Sequence, residues 1–68
     1  METRIEVNGS TRSLPDPPTL AALFAELGIS LRGTAAVLNG EIVEQARYER
    51  TKLAPGDSVE VVRMVGGG

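Results

Sequence analysis

The chain has 68 residues and a formal net charge of −2, from nine carboxylate side chains against seven Lys and Arg. This length corresponds to one domain near the lower limit for independent folding. The absence of Cys and His excludes disulfides, thiolate metal sites and catalysis by a histidine acid or base. We therefore expect no metal site and no intrinsic catalytic centre, so the chain is not predicted to be an enzyme.

Charge and aromatic content bear on the choice of partner. The cationic residues are scattered, and one Tyr and one Phe are the only aromatic residues, so we expect no nucleic-acid partner. No segment approaches the ~20 apolar residues that span a bilayer. The first residues are typical of a strand rather than of a signal peptide. We expect a cytoplasmic protein without a membrane association.

A β-hairpin is predicted at the start of the chain. Apolar and polar residues alternate over residues 3–7, which is typical of a half-buried strand. Asn8 and Gly9 follow, the pair best suited to the positive φ angles of a two-residue turn. Residues 10–14 form the returning strand, which ends where Pro15 begins a proline-rich segment.

A single amphipathic helix is predicted next. Thr19 can cap its first turn, because a threonine hydroxyl accepts a hydrogen bond from a free backbone N–H group. Apolar residues recur at i, i+3, i+4 and i+7 from Leu20 to Leu27. Gly28 can adopt the left-handed conformation that ends a helix.

The second half of the chain contains the remaining predicted strands. They cover residues 34–38, 41–43 and 58–65, with a turn of helix near Tyr48. The element order predicts an α+β fold of the β-grasp type: a mixed four- to five-stranded sheet with one main helix packed on one face. Residues 1–65 form the domain, and residues 66–68 form a flexible glycine tail.

The predicted core collects the apolar side chains expected on the inner surfaces of these elements. They are Ile5, Val7, Leu14, Leu20, Leu23, Phe24, Leu27, Ile29, Val37, Ile42, Leu53, Val59 and Val61.

The last strand carries apolar residues on both faces. Val59, Val61 and Val65 alternate with Val62 and Met64. One helix covers only one face, so Val62 and Met64 are expected on the open face of the sheet. They are either isolated exposed side chains, which are common, or part of a docking patch for a partner.

The tail Gly66-Gly67-Gly68 has no evident role in folding, because glycines bury no side chain and ordering each costs about 1–2 kcal/mol. A glycine backbone is thin enough to thread a narrow channel, and its terminal carboxylate is not crowded by a side chain. Such a carboxylate can attack the α-phosphate of ATP inside a partner enzyme. An inert flexible end is the alternative.

The whole chain resembles the ThiS family of sulfur carriers in thiamine biosynthesis. The resemblance lies in the Asn8-Gly9 hairpin, the helix of residues 20–28, the segment of residues 37–43 and the segment of residues 53–62 leading to Gly67-Gly68. Two features differ. Many members carry Trp at the position of Tyr48 and a Pro-Arg pair in place of Glu44-Gln45; both positions are expected in a surface loop.

The resemblance implies a protein cosubstrate, with a ubiquitin-like fold, that binds no cofactor itself. A ThiF-like adenylating enzyme would use ATP and Mg²⁺ to activate the Gly68 carboxylate, and a sulfur donor system would convert it to a thiocarboxylate. The tail would then deliver sulfur to a ThiG-like thiazole synthase, with Gly66 and Gly67 needed for threading.

Other functions remain compatible with the residues. The chain could be a related sulfur carrier, for molybdopterin synthesis or for tRNA thiolation. It could also be a ubiquitin-like modifier joined to lysines through Gly68, or a binding domain with an inert tail.

Overall fold

The computed structural model describes residues 2–63. Within these residues, five strands, one α-helix and one turn of 3₁₀-helix follow one another. They are β1 (Glu2–Val7), β2 (Ser10–Pro15), α1 (Leu20–Leu27), β3 (Thr34–Leu38), β4 (Glu41–Val43), the 3₁₀ turn (Gln45–Arg47) and β5 (Ser58–Arg63).

The strands form one mixed sheet in the order β2-β1-β5-β3-β4. The β1–β5 pair is parallel, whereas β1–β2, β3–β5 and β3–β4 are antiparallel. Leu20, Leu23 and Phe24 of α1 are buried in one cluster with side chains of β1, β2 and β5. The helix therefore packs on one face of a five-stranded sheet, which confirms the predicted ubiquitin-like β-grasp.

The predicted turns and caps explain where the elements end. Asn8 and Gly9 have φ angles of 49° and 85°, as a type I′ hairpin turn requires. The Thr19 hydroxyl accepts a hydrogen bond from the Ala22 N–H at 3.1 Å. At the other end of α1, Gly28 has a φ of 67°, and the Ile29 N–H donates to the Phe24 carbonyl at 3.3 Å. This pattern is a Schellman cap.

The core confirms most of the predicted residues and corrects two. Ile42 was expected inside but is 75% exposed, and Val37 is only half-buried. The turn after β3 pairs Val37 with Ile42, which places both side chains on the face away from the helix. Ala36 occupies the buried position instead. Residues 35–38 are all apolar, so their sequence contained no alternation that could distinguish the two faces.

Tyr48 is a third correction, because it lies in the core rather than in a surface loop. Its ring is buried and its centroid lies 5.0 Å from that of Phe24. Its hydroxyl oxygen accepts a hydrogen bond from the Ala36 N–H at 3.1 Å. Phenol, unlike the indole of Trp, can accept such a bond. Tyr48 therefore satisfies a buried backbone group beside the Ala36–Val43 pair, at the last residue of β4.

No helix within residues 2–63 is long and apolar enough to cross a lipid bilayer.

Candidate functional site

Strand β5 leads directly into the C-terminal segment and is held on both sides. It pairs with β3 from Val59, opposite Leu38, to Arg63, opposite Thr34. On its other side it pairs with the end of β1, where Val7 lies opposite Val59. The strand that precedes the tail is therefore a central strand of the sheet.

Asn8 extends the hold on β5 beyond the end of β1. The chain turns away after Val7, and the Asn8 side-chain oxygen accepts a hydrogen bond from the Val61 N–H at 2.9 Å. The Asn8 N–H donates to the Val59 carbonyl, also at 2.9 Å. The turn residue predicted for its φ angle thus also fixes the strand that carries the tail.

An apolar surface lies on the sheet face that α1 does not cover. Ala35 lies opposite Val62, and Val37 lies opposite Ile42, so these four side chains share that face. Ile42 and Val62 are 75% and 45% exposed. We call Ala35, Val37, Ile42 and Val62 the open-face patch.

The other half of the same face is polar. Glu2, Arg4 and Glu6 alternate on β1 with the buried side chains of that strand, and all three are exposed. Ser13 of β2 lies opposite Arg4 and is also exposed. The open-face patch is therefore confined to the half of the sheet formed by β3, β4 and the end of β5.

The predicted site residues divide into two groups. Val62 lies on the open face, as the alternation along the last strand indicated. Met64, Gly66, Gly67 and Gly68 lie outside the described residues. Within residues 2–63 no three acidic side chains come together in a group that could hold a metal ion.

Ala35, Val37 and Ile42 were missed as surface residues. The signal that could have found them is the Asn39-Gly40 turn. A two-residue hairpin turn after Leu38 pairs Val37 with Ile42 and puts both on one face. The burial of Ala36 then assigns Val37 to the open side.

The sequence model of the ThiS family matches residues 3–68. The chain belongs to the ThiS family. The match extends through the glycine tail, beyond the last residue that the structure describes.

Related proteins agree with this assignment. The sulfur carrier protein ThiS of Thermus thermophilus is 37% identical over 62 residues, which cover 91% of this chain and 95% of that protein. A thiazole synthase of Paramagnetospirillum magneticum is 35% identical over 65 residues, 96% of this chain but only 20% of that protein. The chain thus spans about a fifth of that relative's length.

A solved structure supports the ThiS fold. The thiamine biosynthesis protein ThiS from Geobacter metallireducens superposes with a TM-score of 0.81 at 26% identity, covering 97% of this chain and all of that one. The five-stranded arrangement described above is therefore the fold of the family.

Proposed function

We propose that this protein is a sulfur carrier of thiamine biosynthesis that works through the carboxylate of Gly68. The observation that carries the proposal is the family match, which runs through Gly68. The fold supports it, because β5 is held by β1, by β3 and by Asn8. The folded domain would bind the surface of a partner enzyme, and the glycine tail would extend into the active site of that enzyme.

The proposed chemistry has two steps, both inside partner enzymes. A carboxylate oxygen of Gly68 attacks the α-phosphorus of ATP, pyrophosphate leaves, and an acyl-adenylate forms. A sulfur nucleophile such as hydrosulfide then attacks the carbonyl carbon, AMP leaves, and Gly68 becomes a thiocarboxylate. The adenylating enzyme binds the ATP and Mg²⁺. This chain supplies a reactive end group, and the lack of His and Cys is compatible with a protein cosubstrate.

The open-face patch is proposed as the docking surface for these partners, extended by Met64. Ile42 and Val62 expose apolar surface whose removal from water favours association. The patch includes the strand from which the tail departs. A partner that covers it would therefore also hold the tail in register with its own active site.

The names of the relatives favour thiazole formation over the alternatives in molybdopterin synthesis and tRNA thiolation. The Geobacter metallireducens protein of known structure is named as the thiamine biosynthesis protein ThiS, and the Paramagnetospirillum magneticum relative is named as a thiazole synthase. We therefore propose a thiazole synthase as the acceptor of the sulfur and a ThiF-like enzyme as the activator.

Intact-mass spectrometry tests the loading step. The purified protein is incubated with ATP, Mg²⁺, hydrosulfide and the adenylating enzyme of the same organism. We expect the mass to rise by the difference between one sulfur and one oxygen atom, and to remain unchanged without ATP. An unchanged mass, with the enzyme active on a control carrier, would refute the proposal.

A variant that lacks Gly68 is the matched control for the tail. We expect it to gain no sulfur while its melting temperature stays that of the full chain, because the tail has no predicted part in the core. If the deletion lowers the melting temperature appreciably, the tail contributes to folding, and the proposal that it serves only as the reactive end group is wrong.

A further inference from the structure

Carboxylates are unevenly distributed along this chain. Residues 27–40 and 61–68 contain none, and Arg32 and Arg63 are their only charged side chains. All nine carboxylate side chains and the other five of the seven cationic residues lie elsewhere. The side chains of these two segments thus carry +2, whereas the remaining side chains of the protein carry −4.

The fold brings these two segments together. Arg63, the last residue of β5, pairs with Thr34, the first residue of β3, and Arg32 lies two residues before Thr34. Both arginines are exposed, and both line one surface recess of about 340 Å³. None of the residues lining that recess is acidic: they are Ile29, Ser30, Arg32, Gly33, Thr34 and Arg63.

The loop that presents Arg32 has a fixed backbone. The Thr34 hydroxyl donates to the Ser30 carbonyl at 2.9 Å and to the Leu31 carbonyl at 3.2 Å. The Arg32 N–H donates to the Ser30 hydroxyl oxygen at 3.2 Å, and the Gln45 side-chain amide donates to the Leu31 carbonyl. A loop that is already ordered loses little conformational freedom when it binds a partner.

Chain length brings a partner surface close to these arginines. Five residues separate Arg63 from the end of Gly68, and a fully extended chain spans at most about 3.3–3.6 Å per residue. The Gly68 carboxylate therefore reaches no farther than about 18 Å from Arg63. An enzyme that encloses this carboxylate must therefore place its entrance within that distance of Arg63.

We propose that Arg32 and Arg63 form an electrostatic docking site for acidic side chains at the entrance through which a thiazole synthase takes the tail. The proposal rests on the proposed function, because it requires delivery of the tail to that enzyme. Guanidinium groups bind carboxylates through paired charged hydrogen bonds, and acidic side chains at the entrance would complement the +2 charge of the two arginines. The relative in which a segment like this chain forms part of a thiazole synthase favours that enzyme as the occupant.

The experiment measures binding to the thiazole synthase of the same organism at several salt concentrations. The test variant carries Arg32→Glu and Arg63→Glu. Charges at the rim of an interface act on association rate and salt dependence, so we expect binding at low salt to weaken by about 30-fold. Affinity of the unmodified protein should fall as salt is added, because the Debye length shortens to about 8 Å at physiological ionic strength. The double variant should lose most of this dependence.

The matched control carries Arg12→Glu and Arg50→Glu, which change the net charge by the same amount. Arg12 lies on β2, at the far edge of the sheet from β3. Arg50 precedes Thr51, whose carbonyl accepts from Leu20 N–H at the opposite end of α1 from Arg32. We expect the control to bind within about threefold of the unmodified protein. Arg32→Lys with Arg63→Lys keeps the charge and should retain most of the binding.

Loading of Gly68 with sulfur is measured on the same samples, which separates the two proposals. Equal weakening by the test and control variants, or no binding by the unmodified protein, would overturn the docking site whatever the loading result. Binding that depends on Arg32 and Arg63 in a protein that takes up no sulfur would support the docking site and refute the proposed function.

Discussion

The two halves of the open sheet face differ in chemistry although no helix within residues 2–63 covers either of them. On the β1–β2 half the exposed side chains are Glu2, Arg4, Glu6 and Ser13, as expected for a sheet face in water. On the other half Ile42 and Val62 are exposed and Ala35 and Val37 are half-buried, and the acidic side chain of Glu60 lies beside them, opposite Val37. The β1–β2 half therefore has the polar surface of a solvated sheet face, and the β3–β4 half has apolar side chains in its place.

Water can solvate the exposed polar side chains of the β1–β2 half, whereas the exposed side chains of the other half are apolar. The apolar half leaves Ile42 and Val62 in contact with water and includes the end of β5, from which the tail departs. Under the proposed function, these side chains contact a partner. This distinction between the two halves would be refuted if the open-face patch stabilised the isolated domain, or if the polar half bound partners equally well.

The largest expected effect on stability concerns the face that α1 covers. Phe24 is buried and packs against Tyr48, so Phe24→Ala leaves a cavity between helix and sheet. We expect the free energy of unfolding to fall by about 3–5 kcal/mol, measured by urea denaturation. A small domain has little stability to spare, so this variant could be unfolded. An unchanged melting temperature would contradict the assigned core.

Ile42→Glu gives the next effect, on binding rather than on stability. A charge in the open-face patch must lose water when a partner covers it, so we expect affinity for the adenylating enzyme or thiazole synthase to fall at least about tenfold. Met64→Glu should act in the same direction. The free energy of unfolding should change by less than about 0.5 kcal/mol for Ile42→Glu.

Ser13→Glu on the polar half is the matched control, because it introduces the same charge opposite Arg4. It should leave partner affinity unchanged. If both variants bind as the unmodified protein does, the patch is only a set of exposed apolar side chains. If both weaken binding equally, the distinction between the two halves is wrong.

Tyr48→Phe tests the contribution of the Tyr48 hydroxyl to stability next to the β3–β4 pair. It removes the acceptor of the buried Ala36 N–H while keeping the ring beside Phe24. We expect a loss of about 1–3 kcal/mol in the free energy of unfolding and faster hydrogen exchange of the Ala36 amide. Protection of that amide equal to the unmodified protein's would show that the hydroxyl is dispensable.

The sequence predicted the elements well where local chemistry decides them. Asn8-Gly9, Thr19 and Gly28 each require a particular backbone conformation, and all three adopt it. Prediction failed at residues 35–38, because four adjacent apolar residues contain no alternation. The burial of Tyr48 was missed because its surroundings in the sequence are polar, and only the long-range contact with Phe24 and Ala36 places it in the core.

The candidate site was predictable only in part for the same reason. Val62 followed from the alternation along one strand, which is local information. The open-face patch needed the pairing of three strands, and the proximity of Arg32 to Arg63 needed the Thr34–Arg63 pair. The role proposed for Gly68 comes from family membership, since a glycine has no side chain from which chemistry can be inferred.

Transfer of labelled sulfur tests the proposed function most directly. The protein is loaded at Gly68 with heavy-isotope sulfur, freed of hydrosulfide, and supplied to the thiazole synthase with its other substrates and unlabelled sulfide in excess. We expect the thiazole product to contain the heavy isotope and the carrier to return to the mass of the carboxylate form. A product with unlabelled sulfur, formed while the carrier keeps its label, would contradict the role of Gly68 as the sulfur donor.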